Sequence, residues 1–136
     1  MSKQLEGELP PQTLRIVDAN LNRLREGIRV VEDICRFYKN SKELSSQLKR
    51  LRHTARLNNF HELLISRDII NDPLKETTKS ETKRSSIEMI IISNIKRAQE
   101  SSRVLEEILK LTNKNDAEKF KNIRYELYNL EKEILL

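Results

Sequence analysis

The chain has one cysteine, no tryptophan, two glycines and three prolines in 136 residues, and aromatic side chains make up only 4%. A lone Cys35 rules out an internal disulfide framework, and among apolar neighbours a thiol acts as a small hydrophobe. So few glycines exclude a sandwich or barrel with its many tight turns. No apolar run approaches the roughly 18 residues of a membrane span. The opening Met-Ser-Lys-Gln-Leu-Glu-Gly-Glu-Leu-Pro-Pro lacks the apolar stretch of an export signal, so the expected location is cytoplasmic. Also missing are a Walker-A lysine loop, a Gly-x-Ser-x-Gly elbow and any metal-binding pattern of Cys and His; His53 and His61 stand alone.

What the sequence does have is charge. Charged residues make up 35%, with 26 basic and 21 acidic side chains and a formal net charge of +5. Both signs are interspersed along the chain. That balance suits small anionic ligands and argues against nucleic acid as the partner.

Apolar residues recur at three- and four-residue steps, as in amphipathic helices. Residues 1–9 read as a frayed arm, with Pro10-Pro11 opening a helix that runs to about Tyr38. Asn40-Ser41 starts a second helix, about 41–65, whose outer face carries Lys49, Arg50, Arg52, His53 and Arg56. A connection of about 66–79 holds turn chemistry at Asn71-Asp72-Pro73. A third helix follows to about Leu111, and a fourth, capped by Asn115, runs to the end. The expected fold is one all-α domain over 1–136, an antiparallel four-helix bundle of two helix hairpins, with repeat halves of about 10–65 and 80–136. Exposed apolar flanks leave a homo-oligomer open.

The first and third helices carry the same pattern. Asp18-Ala-Asn-Leu-Asn-Arg-Leu-Arg-Glu-Gly-Ile-Arg-Val-Val-Glu-Asp33 aligns with Ile92-Ser-Asn-Ile-Lys-Arg-Ala-Gln-Glu-Ser-Ser-Arg-Val-Leu-Glu-Glu107 at a constant offset of 74 (94 − 20, 97 − 23, 100 − 26). On a wheel of roughly 100° per residue with Asn20 at zero, Gly27 and the apolar Leu24, Val31 and Ile34 fall within about 40° of it, and Arg23 at about −60°. The expectation is that Asn20, Arg23 and Gly27, with Asn94, Arg97 and Ser101, face inward, flanked by Glu26 and Glu100. Inward arginines must be neutralised, either by carboxylates that fix helix register or by an anionic ligand in a polar cavity. Gly27 in mid-helix costs about 1 kcal/mol relative to alanine and reads as a place where something approaches the backbone.

These residues, with Leu51-Arg52-His53, Ser66-Arg67-Asp68, Asp72 and the closing Phe120-x-x-Ile-Arg-Tyr-Glu-Leu-Tyr-x-Leu-Glu-Lys132, resemble a small helical family of thiamin biosynthesis. That family occurs alone or fused ahead of thiamin-phosphate synthase, and it resembles an alternative hydroxymethylpyrimidine-phosphate kinase. The resemblance implies ATP-dependent conversion of 4-amino-5-hydroxymethyl-2-methylpyrimidine phosphate to its diphosphate, with Mg²⁺ as cofactor and a synthase as partner. On that basis Arg23, Arg97, Glu26 and Glu100 are the candidate catalytic residues. Asn20, Gly27, Asn94, Arg67 and Arg124 would bind substrate or nucleotide, and Asp68 and Asp72 the metal. Arg29 and Arg103 would tie the helices to Glu32 and Glu106. One departure is Ile69-Ile-Asn-Asp72-Pro-Leu, where relatives read Asp-Val-Gly. Two other functions fit the residues: a non-catalytic accessory domain of the synthase, or another arginine-lined helical enzyme acting on a small dianion, as chorismate mutase does.

Overall fold

The computed structural model describes residues 9–136, without the side chains of Ser80 and Glu81, and all regular structure in that range is helical. The elements are α1 (Pro11–Asp33), which runs on into a π-helical turn (Ile34–Tyr38), α2 (Lys42–Thr54), α3 (Phe60–Ser66), α4 (Lys79–Thr82), α5 (Ile87–Leu109) and α6 (Lys114–Leu135). No described helix is long and apolar enough to cross a membrane.

Helix α1 packs on α5, α2 and α3, α6 packs on α5, and α2 reaches across to α6. Side-chain bonds give the directions. Glu106 pairs with Arg124 while Gln99 bonds Glu131, so α5 and α6 run opposite ways. The shared core holds Leu24, Ile28 and Val31 of α1, Cys35 of the π-helical turn, Leu48 and Leu51 of α2, Ile91, Ile95 and Leu105 of α5, and Phe120, Ile123 and Leu127 of α6, all at most 3% exposed. Leu9, assigned to the arm from sequence, is buried against this core at 8% exposure, whereas residues 1–8 lie outside the described residues.

At Gly27 the backbones of α1 and α5 come close. A Cβ there would lie 2.8 Å from the backbone oxygen of Asn94 and 3.4 Å from Ala98 Cβ. The glycine is therefore where α5 itself comes close, which corrects the expectation that a ligand fills that space. Gly27→Ala has two opposed effects. It gains up to about 1 kcal/mol of helix propensity, but it overpacks against a backbone atom that cannot swing aside, at about 1–3 kcal/mol. The second wins, and urea unfolding should show a net loss of about 1–2 kcal/mol.

The expected second helix is two helices. Ala55 ends α2 with a non-helical ψ of 72°. Asn58 and Asn59 follow, and short amides compete with the helix for backbone hydrogen bonds. After the break Leu63 is buried, while Phe60 and Leu64 are 64% and 44% exposed. The last helix is capped by Asn113, whose side chain accepts from the Asp116 N–H, rather than by Asn115.

Candidate functional site

The repeated motif turns its arginines outward. Arg23, Arg97, Glu26 and Glu100 are all exposed, contrary to the inward placement expected for the arginines. At about −60° on the wheel they flank the α1–α5 contact, and the approach at Gly27 leaves no room between the helices for two guanidinium groups. Asn20 is buried and Asn94 half-buried, and each donates its side-chain amide to the carbonyl four residues back, Ile16 and Ile90, at 2.9 Å. Each amide thus spends one of its two N–H donors on its own helix.

The remaining predicted residues sit elsewhere. Arg124 is 9% exposed, and its guanidinium donates to Glu106 at 2.8 Å and to the Tyr128 hydroxyl at 3.4 Å. Both bonds hold its pKa above the ordinary range. Asp68 accepts from the Asn71 backbone N–H and side-chain amide, and Asp72 from the Leu74 N–H, so both carboxylates cap turns of the connection. Bonding to Asn71 keeps the Asp68 carboxyl below its usual range. Among the described residues no group of three or more His, Cys, Asp or Glu is placed to hold an ion. Arg29 lies 3.6 Å from Glu32, and Arg103 lies 3.3 Å from Glu107 rather than bonding to Glu106.

One expected residue, Arg67, leads to a different assembly, on the polar back of α1. The Arg67 guanidinium donates to both oxygens of Asp18, at 2.8 and 2.9 Å, across 49 residues of sequence. Arg15 adds a bond to the Asp68 backbone oxygen at 2.8 Å, so the chain after α3 is tied to α1 twice. Further along α1, Glu32, only 1% exposed, accepts two bonds from Arg52 of α2, at 2.7 and 3.2 Å. Such forked arginine–carboxylate pairs fix orientation as well as charge.

Arg25 lies on the same side of α1 as Asp18 and Glu32, one helical turn from Asn22 and from Arg29. Its Nε is buried, with no hydrogen-bond partner among the described residues. Burial, and then the positive charges of Arg56 and Arg52, push its pKa down. His53 is held below the ordinary histidine range by desolvation, then by Arg52, Arg56 and Lys49. Arg25, Arg52, His53 and Arg56 thus form a cationic corner where one guanidinium is partly desolvated, repelled and incompletely bonded. A dianion such as a phosphate monoester would satisfy it.

The second half of the chain shows why this corner is unpaired. Arg25 corresponds to Gln99 (25 + 74 = 99), which donates to Glu131 of α6 at 2.9 Å. Arg52 corresponds to Arg124 at an offset of 72 (124 − 52), and Glu131 then corresponds to Asn59 (131 − 72), where the first half has already left the helix. The break after Thr54 therefore removes from Arg25 the cover that α6 gives Gln99. Neither Arg25 nor Asp18 belongs to the repeated pattern that marks out candidates in the sequence. The available signal was their failure to repeat: Asp18 faces Ile92 and Arg25 faces Gln99 in the alignment.

The ThiD2 family model matches residues 15–133 of this chain. The thiamine-phosphate synthase of Nostoc punctiforme is 42% identical over 122 residues, which is 89% of this chain and 35% of that protein. Those of a second Nostoc strain and of Thermosynechococcus vestitus are each 39% identical, again over 35% of their length. The chain thus spans about a third of these relatives. No solved structure matches it. The matched span takes in both copies of the motif, the cationic corner and the Asp18–Arg67 tie, and the chain belongs to the ThiD2 family, associated with thiamin biosynthesis.

Proposed function

We propose that the protein is a kinase that phosphorylates 4-amino-5-hydroxymethyl-2-methylpyrimidine phosphate to its diphosphate with ATP. The observation that carries this reading is Arg25, a partly desolvated guanidinium whose Nε has no partner among the described residues, beside Arg52 and Arg56 in a family linked to thiamin. In the reaction, an oxygen of the acceptor monophosphate forms a bond to the γ-phosphorus of ATP. The bond from that phosphorus to the β,γ-bridging oxygen breaks, and the oxygen leaves with ADP.

Such transfer depends mostly on positioning and on neutralising the equatorial oxygens. Arg25 and Arg56 would clamp the acceptor phosphate. Arg52, oriented by Glu32, would fix the edge of that clamp, and Arg67, held by Asp18, would close it from the other side. Arg23, Arg97, Glu26 and Glu100 keep a secondary role in this proposal, as exposed charges along the α1–α5 seam that a second ligand could reach. Any Mg²⁺ would arrive with the nucleotide.

The reading extends to the architecture. The matched pairs Glu32–Arg52 and Glu106–Arg124 support two antiparallel hairpins related by a pseudo-twofold, with one hairpin remodelled to carry the site.

The test is incubation of the purified protein with ATP, Mg²⁺ and the pyrimidine monophosphate, following ADP and diphosphate. Turnover above a no-enzyme control is expected, and its absence refutes the kinase. A second reading, an accessory domain of a thiamine-phosphate synthase, draws on the relatives' names and on the exposed apolar residues Ile65, Ile69, Ile70 and Leu74 at the end of α3 and beyond. It predicts a complex with such a synthase and no turnover of ATP.

A further inference from the structure

The two hairpins close with the same backbone bond. At the first turn the Ser41 N–H donates to the Cys35 carbonyl at 2.8 Å, and at the second the Asn113 N–H donates to the Leu109 carbonyl at 2.8 Å. Cys35 and Leu109 are 74 apart, whereas Ser41 and Asn113 are 72 apart, so the first turn holds two more residues. They are accommodated by the π-helical turn at Ile34–Tyr38 and by Asn40 at a φ of 54°. Asparagine tolerates that left-handed backbone, and π-turns concentrate at functional sites.

Beside each turn, between the end of one helix and the start of the next, lies a groove. The first, of about 480 Å³, is lined by Glu32, Arg36, Phe37, Lys42, Ser46 and Lys49 among others. The second, of about 350 Å³, is lined by the corresponding Glu106, Lys110, Lys114, Ala117 and Glu118. Their electrostatics differ. In the second, Lys110 is bonded to Glu107 at 2.8 Å and lies 4.0 Å from Glu106, and Glu118 stands where the first has Ser46. In the first, Glu32 is already paired with Arg52, and among the described residues neither the Lys42 nor the Lys49 ammonium meets a carboxylate. The Arg36 guanidinium lies 4.8 Å from the Phe37 ring centroid, and that ring is 71% exposed.

We infer that the first groove is a second ligand site, for a molecule that carries phosphate next to a flat aromatic ring. Lys42, Lys49 and Arg36 supply charge, Ser46 a hydroxyl, and Phe37 a stacking surface. Its volume falls within the ordinary range for small-molecule pockets. A nucleotide and a phosphorylated pyrimidine share this chemistry. That the ligand is a substrate rests on the kinase reading; that the groove binds it does not.

Calorimetric titration of the full chain with ATP, with the pyrimidine monophosphate and with inorganic phosphate separates the cases, because no turnover is needed. Ser46→Glu, which copies the second groove, and the double variant Lys42→Ala/Lys49→Ala should each weaken one of the aromatic ligands by roughly tenfold or more, as loss of a charge-assisted contact does. Lys132→Ala, on the exposed side of α6, should leave binding unchanged. Loss of ATP alone identifies a nucleotide groove, and loss of the monophosphate alone a pyrimidine groove. If both variants bind ATP and the monophosphate within twofold of the unmodified protein, the inference is overturned, even if the kinase assay succeeds. Unaltered circular dichroism would show that any loss is not misfolding.

Discussion

Arg52→Ala should destabilise the protein by about 3 kcal/mol or more, because it leaves the Glu32 carboxylate buried without its main partner. Glu32 is 1% exposed and accepts both its short bonds from Arg52. Its other cation, Arg29, is half-exposed and 3.6 Å away, too distant and too well solvated to replace Arg52. For a domain of this size the loss corresponds to a fall in Tm of roughly 10 °C, readable by thermal circular dichroism. Arg29→Ala should cost less than about 1 kcal/mol, since an exposed pair contributes little. Replacing both partners, Glu32→Leu with Arg52→Met, should recover most of the stability that Arg52→Ala loses, because two apolar groups need no neutralisation. A small effect from Arg52→Ala would mean that water reaches Glu32 and that the pair does not fix α2 on α1.

Arg25→Ala should do the opposite. Its Nε is already unsatisfied and its charge is opposed by Arg56 and Arg52, so truncation removes an unfavourable arrangement. Stability should stay level or rise by up to about 1 kcal/mol. Phosphoryl transfer, in contrast, should fall by about a hundredfold or more in kcat/KM, the usual scale for losing an aligned charge donor at a reacting phosphate. Arg25→Lys should restore little, since an ammonium cannot reproduce the planar fork. A stabilised, folded and inactive variant is the signature of a residue kept for chemistry. An unfolded Arg25→Ala would instead assign the residue to the fold and remove the main support for the proposed site.

The helices themselves were legible in the sequence. Leu24, Ile28, Val31, Ile95, Leu105 and Leu127 recur with helical period and are buried as that period requires. The duplication was legible too, as a constant offset in residue type. The wheel placed Arg23 and Arg97 near the inside because it assigns a direction to a Cβ, not to the end of a long side chain. From −60° a guanidinium reaches solvent as easily as core. Gly27 was read as room for a ligand because a sequence does not state what stands opposite a glycine. The Asn94 carbonyl supplied that answer.

The sequence by itself determined the all-helical class, the two copies of one motif and membership of the ThiD2 family. Local periodicity and residue identity carry all three. Only the tertiary structure decided which polar residues are paired and which are left over. Asp18 finds Arg67 across 49 positions and Glu32 finds Arg52 across 20, distances over which no periodic rule operates. The candidate site lies where the two halves stop being alike, at the early end of α2 and at two extra residues in one turn. A repeat announces itself in sequence through its similarities. The differences acquire meaning only when packing shows that Gln99 bonds Glu131 of α6 while the buried Arg25 Nε finds no partner among the described residues.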